Sequence, residues 1–196
     1  MLFGLPAIGT LVSHDRDFIY KPRGFNSIYE MNEAIIARHN EVVAPDDDVY
    51  CLGDCMLNDN DAGIYAIKQL KGNIHLIRGN HDTDTRMKLY NHCYNIVEIT
   101  EGQFLNYNNY HFYLSHYPSI TSNYDDNKPL KKKMVSLCGH RHDHNKFCDM
   151  NKGLIYHVEM DAHNCYPVLI DNIIQDIQYF ISLDKYDQEK LCKNHI

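Results

Sequence analysis

Ile74-His75-Leu76-Ile77-Arg78-Gly79-Asn80-His81-Asp82 carries the pattern on which the fold turns. A short apolar run reads as a buried strand, and a polar Gly-Asn-His-Asp cluster follows almost at once. The glycine lets the backbone turn sharply where the strand stops. The same arrangement recurs along the chain. Val49-Tyr50-Cys51-Leu52 runs into Gly53-Asp54, residues 110–115 run into His116, and Val135-Ser136-Leu137-Cys138 runs into Gly139-His140-Arg141-His142. In open α/β sheets, ligand sites form beyond the C-terminal ends of strands. Rigid strands can therefore bring Asp54, Asn80, His116, His140 and His142 to one point. Carboxylate, amide and imidazole are oxygen and nitrogen ligands suited to Mn, Fe, Zn or Ni.

Between these runs the chain reads as helices. Ser27-Ile28-Tyr29-Glu30 has capping-box spacing and opens a helix to about Val43, with Ile28, Met31, Ile35 and Val42 on one face. Pro45 and the aspartates after it end that helix. Further helices are expected near 59–71, 84–93 and 171–182, and strands near 5–12, 96–115 and 154–160. Asn108-Asn109 is a tight-turn signal before Tyr110. The polar tail is expected to fray. The whole is read as one domain, residues 1–196, of α/β class.

Composition bounds the function. Charged residues are 23% and hydrophobic residues 44%, the balance of a globular chain. A net charge of -7 argues against non-specific binding to a long polyanion, and no long basic face supports a nuclease acting on DNA ends. Seven cysteines without a paired pattern read as reduced thiols, which implies a cytoplasm, the host's if the chain is phage-encoded. No apolar run reaches membrane-span length. Nothing in the sequence sets an oligomeric state.

Each cluster alone has a plainer reading: Gly-Asp as a turn, Asn-His-Asp as a capped loop, His116 as a core histidine, His-x-His as an accident of a His-rich chain. In the order GD, GNHD, H, GHxH they resemble the calcineurin-like metallophosphoesterase superfamily, above all its small bacterial and phage members. Arg23-Gly24-Phe25-Asn26-Ser27-Ile28-Tyr29-Glu30, Asp46 to Asp54, Val158-Glu159-Met160-Asp161 and Tyr166-Pro167-Val168 are similar to segments of those enzymes.

The resemblance implies a two-sheet β-sandwich flanked by helices and up to two divalent metals, manganese favoured. It implies that Asp54 bridges them, that Asn80, His116 and His140 complete one site, and that His142 belongs to the other. His81 would protonate the leaving oxygen, and Arg78 and Arg141 would hold phosphate or form surface ion pairs. The substrate would be a small phosphodiester or phosphomonoester, nucleotide-like; a phosphate-binding pseudoenzyme is the alternative. Lys128-Pro129-Leu130-Lys131-Lys132-Lys133 is read as a solvated loop, with phosphate steering as the alternative. His144 and His163 are assigned to the surface. Tyr107, Tyr110, Tyr113 and Tyr117 are read as sandwich packing, with base stacking as the alternative.

The family's first motif, Asp-x-His, falls by alignment from Arg23-Gly24-Phe25 on Gly9 and Leu11, neither of which ligates through its side chain. Three readings follow: a weakened second metal site; replacement by His14, Asp15 or Asp17; or a start that is not the native one. The first predicts that the double substitution Gly9→Asp with Leu11→His raises both manganese stoichiometry and bis-p-nitrophenyl phosphate hydrolysis, each single change doing less. A fully active parent that gains nothing would rule it out.

Overall fold

The apolar runs assemble into two sheets. The computed structural model describes residues 7–9, 13, 14, 16–121, 128–149 and 153–193, with the backbone alone at 7–9, 13, 14 and 193. Its strands are β1 (Ala7–Gly9), β2 (Ser13–His14), β3 (Asp48–Cys51), β4 (Met56–Leu57), β5 (Asn73–Ile77), β6 (Ile96–Thr100), β7 (Gln103–Tyr107), β8 (Tyr110–Leu114), β9 (Met134–Cys138), β10 (Ile155–His157) and β11 (Val168–Leu169). Its helices are α1 (Asp17–Tyr20), α2 (Ile28–Val42), α3 (Asn60–Ile67), α4 (Asp84–Tyr90), α5 (Ile170–Ser182) and α6 (Lys185–Lys193). One sheet has the order β11-β1-β3-β5-β6 and the other β10-β9-β8-β7; β2 and β4 form a separate short ladder. This is the expected α/β class, two sheets flanked by helices.

β1, β3, β5 and β6 run parallel, and so do β8, β9 and β10. The strand-end loops of each sheet therefore emerge on one side. Strand alternation splits the core in two. Val49, Cys51, Ile74 and Leu76 face helices α2, α3 and α4. Tyr50, Leu52 and Ile77 face Phe112, Leu114, Val135, Leu137 and Tyr156 of the other sheet, and α5 adds Ile170, Ile173, Ile174, Ile177 and Phe180. Each such side chain, once buried, stabilises by roughly 1.5–3 kcal/mol.

Local signals explain the boundaries. Ser27 Oγ accepts the Glu30 N–H at 3.1 Å, while the Glu30 carboxylate turns back to the Asn26 N–H at 2.8 Å. The capping box thus closes one residue earlier than its simplest form. Asn108 and Asn109 have φ of 49° and 64°, the left-handed pair that joins β7 to β8 as a two-residue hairpin.

Some expectations are corrected. Val42 is exposed and His39 takes the buried place, bonded through Nε2 to the Lys71 carbonyl. The tail expected to fray forms α6 up to Lys193. The region 96–115 divides between sheets: β6 joins the first, and the chain crosses at Glu101-Gly102 so that β7 and β8 join the second. Of the first expected strand, Ala7–Gly9 is seen; residues 5, 6 and 10–12 lie outside the described residues. The lysine run keeps Lys128, Lys131 and Lys132 exposed, as a solvated segment does, and forms a 3-10 turn over Leu130–Lys132, with Lys131 over the Tyr110 ring. Among the described residues no helix is long and apolar enough to cross a membrane.

His163, assigned to the surface, instead packs on Tyr156 and donates from Nε2 to the His157 carbonyl at 3.0 Å. Burial pushes its pKa down to about 4 from 6.5, outweighing that hydrogen bond. Between those values the unfolded chain binds a proton that the folded chain does not, so stability falls as pH drops through this window. His163→Gln is expected to remove on the order of 2–3 kcal/mol of that loss. Urea midpoints at neutral pH and at about pH 4.5 check this; identical pH slopes in parent and variant would refute it.

Candidate functional site

The expected residues lie beyond the C-terminal ends of β3, β5, β8 and β9. Two glycines let the β3 and β5 loops touch. A Cβ on Gly79 would stand 2.2 Å from Asp54 Oδ1 and 2.6 Å from the Asp54 nitrogen. One on Gly53, at φ +89°, would stand 2.6 Å from the Gly79 nitrogen and 2.8 Å from His116 Nδ1. Any side chain at either position would separate the loops. Asp54 itself has φ +55°, a region costly for a residue with a Cβ.

Asp82 holds this contact together. It is buried, and its carboxylate accepts from the N–H of Asp54 (2.7 Å), Gly79 (2.8 Å) and Cys55 (3.3 Å) and from the Tyr90 hydroxyl (2.7 Å). Asp54 Oδ1 accepts the His81 N–H at 2.8 Å.

His116 stands at the centre and is buried. Its Nδ1 donates to the Leu52 carbonyl at 2.7 Å. Its Nε2 lies 2.9 Å from Asn80 Oδ1, 3.1 Å from His140 Nδ1 and 3.3 Å from Asp54 Oδ2. With Nδ1 donating, a neutral ring presents a lone pair at Nε2. Lone pairs of a carboxylate, an amide oxygen and a second imidazole then crowd that nitrogen. One proton on Nε2 cannot serve all three acceptors; a divalent cation can, and the donor types suit one. In the protein alone, burial would raise Asp54, but the His116 ring and the His81 N–H hold its carboxyl below the usual range. Burial would lower His116, and the Asp54 contact turns the shift upward. Burial, with His116 beside it, lowers His140.

His142 is not among the donor atoms brought together here. Its Nδ1 lies 3.1 Å from Asp161 Oδ2 and 3.3 Å from Arg23 Nη2. Arg23 grips Asp161 through Nε and Nη2, both at 2.7 Å, and both side chains are buried. Arg23 and the His142 ring hold the Asp161 carboxyl far down against the burial that would raise it.

The Gly-His-Arg-His loop has His140 at φ +79° and His142 at φ +54°. Glu159 fixes it by accepting the N–H groups of Arg141 (3.1 Å) and Asp143 (2.5 Å), the residues on either side of His142. His157 places Nδ1 2.9 Å from Glu159 and Nε2 3.1 Å from Asp149, and Arg141 Nη1 reaches Asp149 at 2.6 Å. Cys148, Asp149 and His157 also bring potential ligand atoms close. Arg141 already neutralises Asp149 there, so those charges are balanced from within the protein.

The remaining candidates divide. His81 is exposed, its backbone tied to Asp54 on one side and to Arg86 on the other. Arg78 binds the Asp82 carbonyl and the carboxylates of Asp84 and Glu101. Arg141 binds Asp149. Arg78 is thus paired with exposed carboxylates, while the partner of Arg141 is buried. Gly9 pairs with Cys51, which puts it at the strand end next to the Asp54 loop. His14 pairs with Leu57 through the β2–β4 ladder. Leu11 and Asp15 lie outside the described residues, as does the side chain of His14.

The sequence alone assigned no role to Asp82, Glu159, Asp149, His157, Asp161 or Arg23, and it read Tyr117 as sandwich packing, whereas that residue is half exposed. One signal was present for the acids: carboxylates inside apolar stretches such as Ile155 to Met160 must find partners when buried.

Residues 29–158 match the model of the calcineurin-like phosphoesterase superfamily domain. The chain is 31% identical over 177 residues to the uncharacterized protein MJ1445 of Methanocaldococcus jannaschii, spanning 86% of this chain and 88% of that one. Among solved structures it is similar to the protein of unknown function AQ665 from Aquifex aeolicus. The TM-score is 0.66 and the identity 21%, over 88% of this chain and 98% of that one, a likeness of fold.

Asp82→Asn would turn an amide N–H toward backbone N–H groups, of Cys55 or of Asp54 and Gly79, that can only donate. It is expected to lower stability by about 2–4 kcal/mol in urea unfolding. Asp84→Asn is the control: its side chain is 86% exposed and paired with Arg78, and its loss should stay under about 1 kcal/mol. Equal effects at the two positions would deny Asp82 its role.

Proposed function

Because the chain belongs to the calcineurin-like phosphoesterase superfamily, we propose that it is a metal-dependent hydrolase of small phosphate esters, diesters foremost. In this reading Asp54, Asn80, His116 and His140 hold a divalent ion, manganese by preference among Mn, Fe, Zn and Ni. The observation that carries it is the crowding of three acceptors around His116 Nε2. Such an ion, when bound, supplies positive charge to a phosphoryl oxygen.

The chain's own residues supply the rest. His116 is fixed in one tautomer by Leu52, the second-shell bond that orients a ligating imidazole. Asp54 is aimed by the His81 N–H. The His81 ring stands exposed beside the cluster, where it can give a proton to a departing ester oxygen. His142, held by Asp161, would serve a second ion only if other side chains complete that site. Gly9 beside Cys51 brings none, and this favours a second reading: a slow enzyme or a phosphate-binding protein with one ion.

Elemental analysis after manganese loading is expected to give one ion per chain, lost in His116→Ala. His81→Ala should keep the ion while turnover falls by ~10²–10⁴, most strongly for esters with poor leaving groups and least for p-nitrophenyl esters. Loss of metal together with activity in His81→Ala would make it a ligand instead. A parent that binds metal and phosphate without turnover would establish the second reading.

A further inference from the structure

The four tyrosines between 107 and 117 divide by environment. Tyr107 and Tyr110 pack against the core between the sheets. Tyr113 lies against Phe104, ring centroids 5.1 Å apart. Tyr117 belongs to neither core cluster. Its ring meets the His140 imidazole edge-on at 4.7 Å and that of His116 at 5.0 Å, and half of the residue, 50%, stays exposed. Two members of the candidate metal cluster thus carry a phenol ring on their solvent side.

The backbone beneath that ring is fixed. The Tyr117 carbonyl accepts the Ser115 hydroxyl at 2.8 Å and the Ser119 hydroxyl at 3.2 Å, and the Ser119 N–H donates to Ser136 Oγ. The ring is therefore presented by a short, internally bonded turn directly after His116. His140 and Asn80 are themselves exposed, so Tyr117 borders the open side of the cluster. A large aromatic side chain half in water gains little from the fold. Placed at the edge of a phosphate-binding site, it offers a surface to whatever planar group the phosphate carries.

We propose that Tyr117 is a specificity-determining residue that stacks on a planar aromatic substituent of the phosphate ester, a nucleobase in the substrate class it fits best. This rests on the function proposed above and narrows its substrate. Stacking of a base on an aromatic side chain is sequence-tolerant, because every base has a π face. The ring would thus select nucleotide esters over sugar or alkyl phosphates without selecting among bases.

The test is calorimetric binding of adenosine 5′-monophosphate, ribose 5-phosphate and inorganic phosphate to manganese-loaded protein. The native chain is expected to bind the nucleotide about tenfold more tightly than the sugar phosphate, within the range of base stacking. Tyr117→Leu should bring the two within about twofold, and Tyr117→Phe, which keeps the ring, should restore most of the difference. A native chain with no preference for the nucleotide overturns the proposal. So does a loss in Tyr117→Leu shared equally by all three ligands, which would mark a damaged site. Manganese stoichiometry on the same samples separates this failure from that of the metal-site reading: a chain that binds metal and inorganic phosphate but ignores the base contradicts the role of Tyr117 alone.

Discussion

The Asp82 carboxylate gathers the N–H groups of Asp54, Cys55 and Gly79 and the Tyr90 hydroxyl, and the site is arranged around that knot. Backbone N–H groups buried where two loops meet are costly unless they find an acceptor. A buried carboxylate is costly unless several donors surround it. Each requirement answers the other. The contact is close because Gly53 and Gly79 have no Cβ, and Asp54 sits at positive φ because the loop must double back beneath it. Once this geometry is set, the Asp54 carboxylate, Asn80 and the His81 backbone have little freedom left.

The other sheet meets it with a different device. The Gly-His-Arg-His loop carries two histidines in the left-handed region, each costing of order 1–3 kcal/mol. Glu159, backed by His157, Asp149 and Arg141, holds the loop from below, while Asp161 and Arg23 hold His142 from the side. Asp149 and Asp161, both carboxylates with buried side chains, are each paired with an arginine. His140 faces His116, and His142 faces Asp161. The two histidines of one short motif thus have different surroundings.

This division bears on the expectation that Gly9 and Leu11 stand where the family carries Asp-x-His. Asp54, Asn80, His116 and His140 depend on β3, β5, β8 and β9. None of them leans on the Gly9 side chain that is absent. A donor set for one ion is therefore assembled without any side chain from the end of β1, where Gly9 stands. The frame beneath is buried, and His81 and Tyr117 are its exposed neighbours.

Much of this was legible in the chain. Short apolar runs ending in Gly-Asp, Gly-Asn-His-Asp and Gly-His-Arg-His set the strands and the side of the sheet on which donors gather, because strand periodicity and the glycine turn are local properties. Ser27 and Asn108-Asn109 set a helix start and a hairpin for the same reason. Which donors meet was decided only by the tertiary structure. His142, two residues from His140, is turned to Asp161 by an arginine more than a hundred positions earlier, and no local pattern encodes that pairing. His39 in place of Val42, α6 in place of a frayed tail, and Tyr117 against two imidazoles likewise follow from what the folded chain places beside them. Spacing along the chain selects residue types and faces. The partner of a buried charge or an exposed ring is fixed by packing between distant segments.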